Sequence, residues 1–226
     1  VSSIRFEQVS HSFGDRSVLH DVTLELTEQR IGIVGANGSG KSTLVRMING
    51  LVAPQSGTVT VDGQNVAKHA RDVRRKVGFI FTNPDNQIVM PTVREDVAFT
   101  LRRRGLSPAE IAERTTAALA KFGLSEHADH PAHRLSGGQK QLLALAAVLV
   151  AEPATIVADE PTTLLDARNI RRISELWQTL PQQVIVVTHH LHLVENFDRV
   201  IVIEKGEVVA DGAPEQSLAA YSALLA

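Results

Sequence analysis

Residues 35–43 read GANGSGKST, three glycines leading into a lysine and two hydroxyls. Glycines at this spacing let backbone N–H groups close around phosphate oxygens, and a helix start behind them adds a favourable dipole. In such a loop Lys41 reaches the β and γ phosphates and the Ser42 hydroxyl ligates Mg²⁺, while Asn37, Gly38, Ser39, Gly40 and Thr43 complete the cradle. A second stretch, ATIVADEP at 154–161, is an apolar run ending in Asp159 and Glu160. Neighbouring carboxylates repel unless a cation sits beside them. Asp159 is placed to hold Mg²⁺ through water, and Glu160 to polarise an attacking water. A third stretch, Leu135-Ser136-Gly137-Gly138-Gln139, precedes the apolar KQLLALAAVLVAE. A serine cap and two N–H-exposing glycines at a helix start make a second anion site. One nucleotide rarely needs two cradles from one chain, so the second is expected to serve a nucleotide held by another subunit.

The elements that must position these groups are legible in the apolar pattern. Alternation in IRFEQV and VTLEL predicts antiparallel strands over residues 4–26. RIGIVG is a short strand running into the glycine loop, LVRMING a helix ending at Asn49-Gly50, and GTVTVDG a further strand. KVGFIF, ATIVAD and VIVVTH are near-continuous apolar runs, as in strands covered on both faces. From 84 to 134 the texture turns helical, with Ser107-Pro108 and Glu110 marking a capped start. The core is then expected over 1–83 and 135–226, with a helical insertion at 84–134. DRVIVIEKGEVVADG reads as a hairpin around Lys205-Gly206. Strands alternating with helices imply a parallel α/β core.

Bulk properties exclude several classes. The 226 residues are 43% hydrophobic and 21% charged, which fits one folded domain. Having no cysteine removes disulfides and thiolate metal sites and favours a reducing compartment. A formal net charge of −2 argues against nucleic acid as the main partner. VSSIRFEQVSHSF lacks the basic and apolar regions of a secretion signal, and a Val at position 1 suggests a missing or alternative initiator. The most apolar run, Leu142 to Ala151, is half the roughly 20 residues a membrane crossing needs. Nine histidines include His189-His190-Leu191-His192 and the group His127, His130, His133. Pro131 interrupts any helix in the latter group and no carboxylate cluster completes a shell, so it is not expected to bind metal. Arg102-Arg103-Arg104 reads as a solvated face, with anionic lipid head groups or a membrane partner as the alternative.

Together these motifs resemble, in set and order, the ATP-binding subunits of ABC transporters over essentially the whole chain. GANGSGKST resembles Walker A, LSGGQ the signature, IVADEP Walker B, TTLLD the D-loop, and VVTHH the switch histidine at His189. The resemblance implies an α/β fold, a P-loop NTPase (RecA-like) core with an N-terminal antiparallel β subdomain and the inserted α-helical subdomain. It also implies that Phe13 stacks on adenine and that neutral His189 hydrogen-bonds the γ-phosphate and helps position Glu160 and water. Two ATPs would be sandwiched in a head-to-tail dimer, with Ser136 and Gly138 on the partner's γ-phosphate and Asp166 at the interface. His190 stands where the family usually has an acidic residue.

VGFIFTNPDNQIVMPTVREDVAF is similar to the pattern of energy-coupling-factor (ECF) importer ATPases, with biotin the first solute expected and cobalt or nickel the second. The implied partners are a second ATPase subunit, most simply an identical one, a transmembrane coupling protein and a small substrate-binding membrane protein, at the cytoplasmic face of the membrane. In that family a glutamine follows the last phenylalanine of this strand; here it is Thr82, expected to sense the metal through a bridging water. Gln87 matches a second glutamine of the ECF pattern and is expected on the coupling side of the loop. Soluble ABC ATPases of DNA repair or translation usually carry two cassettes or a long coiled coil, and neither is visible. A non-hydrolysing regulator is disfavoured by the intact Glu160 and His189.

Overall fold

The computed structural model describes residues 1–102 and 104–225, so the middle arginine of Arg102-Arg103-Arg104 lies outside the described residues. Strands β1 (Ile4–Phe13) and β2 (Arg16–Leu26) form the antiparallel pair expected from their alternation. Strand β3 (Arg30–Val34) leads through the glycine loop into helix α1 (Lys41–Met47). β4 (Ser56–Val61) and β5 (Gln64–Asn65) complete a four-stranded sheet in the order β2-β1-β4-β5. Helix α2 (Val66–Lys76) then delivers the chain to β6 (Val77–Ile80).

Helices α3 (Val93–Leu101) and α4 (Pro108–Lys121) follow, each opened by a capping box, Thr92 with Glu95 and Ser107 with Glu110. Helix α5 (Gly137–Leu149), β7 (Thr155–Asp159), α6 (Ala167–Thr179) and β8 (Gln183–Val187) return the chain to the central sheet. The hairpin of β9 (Arg199–Glu204) and β10 (Glu207–Gly212) and helix α7 (Pro214–Leu224) finish it. The six-stranded sheet runs β10-β9-β3-β8-β7-β6, parallel except for β10.

The continuous apolar runs are explained by what covers each face. Ile31, Ile33, Val157, Ile185, Val187, Ile201 and Ile203 face a core shared with α1 and the antiparallel sheet. Ile156, Ala158, Val184, Val186, Val200 and Val202 face the helices, among Leu143, Ala146, Ile173 and Trp177. Successive strand residues point to opposite faces, so a sheet buried on both sides confines its buried polar residues, Arg30, Thr155, Asp159 and Gln183, to strand ends. Such a sheet puts its strand C-termini in one row, where the loops carry the chemistry.

On the helical face, Gly32 admits the turn Leu191–Leu193 against β3. A Cβ added there would stand 2.7 Å from Val194 Cβ, closer than any packed pair of carbons. Gly32→Ala should therefore lower stability by about 1–3 kcal/mol in a denaturant titration, as overpacking does. Adding Val194→Ala should restore part of the loss, and failure to do so would place the strain elsewhere.

Candidate functional site

Three loops meet at the C-terminal row of the parallel strands. After β3, the chain turns at Gly35, where φ is +149° and a Cβ would stand 2.0 Å from the Ile203 carbonyl oxygen, so no side chain fits. The loop is braced from outside by the β9–β10 hairpin: Gly206 N–H donates to the Ser39 carbonyl, and the Gly206 carbonyl accepts from His20 N–H, both at 2.9 Å. Lys41, 5% exposed, curls back so that Nζ donates to the Gly35 and Ala36 carbonyls at 2.8 Å each. Burial pushes its pKa down, while attraction to Glu160, Asp159 and Glu204 works the other way. The Ser39 hydroxyl is buried in the same loop beside Gly35 with no hydrogen-bond partner, and Ser39, expected in the phosphate cradle, does not line the cavity beside the loop.

After β7 comes the carboxylate pair. Asp159 has no exposed surface; one oxygen accepts from Ser42 Oγ at 2.7 Å and the other pairs with Arg46 Nη2 at 3.1 Å. Glu160 holds a left-handed backbone, φ +52°, rarely adopted by a residue with a side chain and typical of functional turns. The conformation is over-determined: Glu160 N–H donates to the Val187 carbonyl at 2.9 Å, and the Thr163 hydroxyl donates to the Glu160 carbonyl at 3.2 Å.

After β8, His189 reaches Glu160, with Nδ1 at 2.8 Å from Oε2. A carboxylate only accepts, so Nδ1 carries the proton and donates. The His190 ring lies against His189, with centroids 4.1 Å apart and planes tilted by 40°. Burial first, then the flanking His189 and His192, holds its pKa below the usual imidazole value.

The loops after β3 and β7, with the β1–β2 turn and Thr82, line a cavity of about 440 Å³, within the range of nucleotide-sized pockets, and His189 meets it through Glu160. Phe13, Asn37, Gly38, Gly40, Lys41, Ser42, Thr43, Thr82 and Glu160 all line it. Phe13 is 55% exposed at the cavity and packs edge-on against His11, an unpartnered aromatic face beside a phosphate loop. The Thr82 side chain donates to the Asp159 carbonyl at 2.9 Å. Ser42 and Asp159 offer two hard oxygens, the donor set of a small divalent cation completed by water and phosphate. The sequence reading missed Arg16, which lines this cavity with its guanidinium beside Gly38, and Arg46. Both lie outside the glycine loop, and only the fold brings them to it.

Other expected residues lie outside this cavity. Ser136, Gly137, Gly138 and Gln139 do not line it; Ser136 caps α5 in a capping box with Gln139. Gly137 and Gly138 lie against Leu164 of the TTLLD segment, and Asp166 caps α6 by accepting Asn169 N–H at 2.8 Å. Gln87 spans two elements, its Oε1 accepting Phe81 N–H at 3.2 Å and its Nε2 donating to the Ala144 carbonyl at 3.0 Å. It also borders a groove of about 340 Å³ together with Phe99, Val89, Arg74 and Arg104. Among the described residues, no three metal-binding side chains cluster together.

The ABC transporter family pattern matches residues 19–163, well over half of the chain. The chain belongs to the ABC transporter family. It is an ATP-binding subunit of that family and an ATPase. The ABC relatives include the biotin transport ATP-binding protein BioM of Rhizobium etli, 45% identical over 99% of this chain and 100% of that protein. The energy-coupling factor transporter ATP-binding protein EcfA1 of Caldanaerobacter subterraneus is 42% identical over 94% of this chain and 81% of its own length. Among solved structures, cbiO1 from Clostridium perfringens, part of the ABC transporter complex cbiONQ, superimposes with a TM-score of 0.81 at 31% identity, covering 98% of this chain and 92% of that one.

Among the described residues, the Asp159 carboxylate has only Ser42 and Arg46 as hydrogen-bond partners. Arg46→Met should destabilise the nucleotide-free protein by about 1–3 kcal/mol in urea melts, near the lower figure because the guanidinium is partly exposed. Arg46→Lys should lose less; equal losses would show that the charge on Asp159 is not what Arg46 serves.

Proposed function

We propose that the chain is the ATP-hydrolysing subunit of an ECF-type importer, working as a dimer at the cytoplasmic face of a membrane. The observation that carries this is the separation of two half-sites on one chain. The cavity holds the phosphate loop, Glu160 and Thr82, with Asp159 and His189 joined to it by hydrogen bonds, while the Ser136–Gln139 cap lies outside it. Two copies placed head to tail put each cap against the other's nucleotide, completing both sites at once.

Within each site, Phe13 takes the adenine face, and Lys41 holds the β and γ phosphates from a buried position where its charge is little screened. Ser42, and Asp159 through water, would hold Mg²⁺, which would supply neutralisation of the charge on the transferring phosphoryl group. Glu160 accepts a proton from the attacking water, whose oxygen bonds to the γ-phosphorus as the bond to the β–γ bridging oxygen breaks. A positioned base of this kind contributes ~10²–10⁴ in rate. His189 keeps the Glu160 carboxylate aimed and stands beside the γ-phosphate. Thr82 is one methylene and an amide shorter than a glutamine; its hydroxyl donates to the Asp159 carbonyl and would reach a bound metal only through a bridging water.

The groove bordered by Gln87, Val89 and Phe99 is where a transmembrane coupling protein would seat a cytoplasmic helix, with a small substrate-binding membrane protein beside it. Biotin is the solute we favour, because similarity to the biotin transport protein of Rhizobium etli extends over the full length of both chains.

Two variants test this reading. Glu160→Gln with MgATP should trap the nucleotide and elute as a stable dimer on gel filtration; a monomer at protein concentrations well above the micromolar range would remove the sandwich. Lys41→Ala should abolish ATPase activity in the complex assembled with its membrane partners. Unchanged turnover there would overturn the role given to the phosphate loop.

A further inference from the structure

Gln139, the last residue of the Ser136–Gln139 cap, uses both ends of its amide. Its Oε1 accepts Ser136 N–H at 2.9 Å, while Gln139 N–H donates to Ser136 Oγ at 3.3 Å. A backbone N–H can only donate, so the amide atom facing Ser136 is the oxygen, and Nε2 carries the hydrogens. Nε2 lies 2.9 Å from His127 Nε2. That ring nitrogen must then be the bare, accepting one, which puts the proton of neutral His127 on Nδ1. His127 Nδ1 lies 3.1 Å from His130 Nδ1, which accepts in turn. All the donors point the same way, from Ser136 N–H through Gln139 and His127 to His130, and bonds aligned like this polarise and strengthen one another.

The turn that presents His127 is itself fixed. Residues Ser125–His127 follow α4, and His127 N–H donates to the Leu124 carbonyl at 3.0 Å. Leu124 and Ala128 on either side are buried among the helices. His130 N–H donates to the His127 carbonyl at 2.9 Å, and the His130 carbonyl accepts Val93 N–H at 3.2 Å at the start of α3. His127 therefore reports the position of α3 and α4 to the first turn of α5.

We propose that His127 is a positioning residue for Ser136: by holding the Gln139 amide in one orientation, it keeps the serine N–H engaged within the cap and so fixes the serine hydroxyl for a phosphate bound to a second copy of this chain. The inference rests on the head-to-tail reading above. Without the imidazole lone pair, Gln139 Nε2 loses its partner, the amide rotates, and the Oε1 bond to Ser136 loosens with it. The phosphate loop of the same chain is untouched, because its cavity contains neither His127 nor Gln139.

The effect is therefore specific to dimer closure, and it is measurable in the Glu160→Gln protein with MgATP by sedimentation over a range of concentrations. Adding His127→Leu should weaken the dimer about tenfold, the equivalent of one net hydrogen bond at a half-buried pair. Affinity of the monomer for a fluorescent ATP analogue and the thermal midpoint should stay as in the parent. Adding His127→Gln instead, whose amide oxygen can stand at the Nε2 position, should restore most of the dimer affinity. A His127→Leu protein that dimerises like its parent overturns the proposal. So does a loss that His127→Gln fails to rescue, or one matched by falls in nucleotide affinity and thermal midpoint, since either marks a packing role. If the Glu160→Gln parent does not dimerise, the sandwich reading falls and this proposal with it; if the parent dimerises, only His127 is at stake.

Discussion

A carboxylate with no exposed surface organises this end of the molecule. Left alone, buried Asp159 would carry an uncompensated charge at a cost of several kcal/mol. The fold meets that cost by drawing neighbours onto it. Ser42 and Arg46 bring the first and second turns of α1 to its oxygens, and Thr82 ties the end of β6 to its backbone carbonyl. The next residue, Glu160, is bound through its N–H to the last carbonyl of β8. Asp159 and Glu160 together thus set the spacing of three strand ends and a helix, and the Asp159 oxygens suit a divalent cation.

Much of this arrangement was legible in the sequence because it depends on local pattern. The middles of β3, β6, β7 and β8 are apolar because both sheet faces are covered, and they are told from the equally apolar helix α5 by their shortness. GANGSGKST and LSGGQ are contiguous, so their chemistry survives being read in one dimension. Helices α2 and α6 are harder to read. α6 buries only Ile173 and Trp177, one pair at helical spacing within a polar run, and α2 departs from helical geometry at His69. Arg16, Arg46 and Gly206 escaped for a different reason: each acts on the phosphate loop or the Asp159 carboxylate across a turn of tertiary structure, and nothing in its own neighbourhood says so.

Thr82 and Gln87 show the limit of pattern most clearly. The sequence shows a glutamine missing from one place and present five residues later, which invites the thought that one replaced the other. The two side chains instead do unrelated things. Thr82 points to the cavity and the Asp159 carbonyl, whereas Gln87 turns away and spans the gap between Phe81 and Ala144. Their difference lies in side-chain direction, set by the turn at Pro84–Asn86, which no residue count reveals.

Gln87 is one of three bolts between that loop and α5. Gln141 donates back to the Phe81 carbonyl at 3.4 Å, and Lys140 pairs with Asp85 at 2.7 Å. Loop and helix are thereby tied at three points, which favours their moving together as a bar. To slide the loop while α5 stays still would break several bonds, at about 1 kcal/mol each. Tilting both together breaks none of them. A push delivered in the groove beside Phe99 is then felt at the far tip of the bar, where Ser136 sits, as a rotation rather than a local dent. On the proposed head-to-tail dimer the direction would also reverse: a phosphate held by Ser136 would pull on the same bar and reshape the groove. Transport and hydrolysis would be geared together by rigidity alone, with no signal needing to pass through the central sheet.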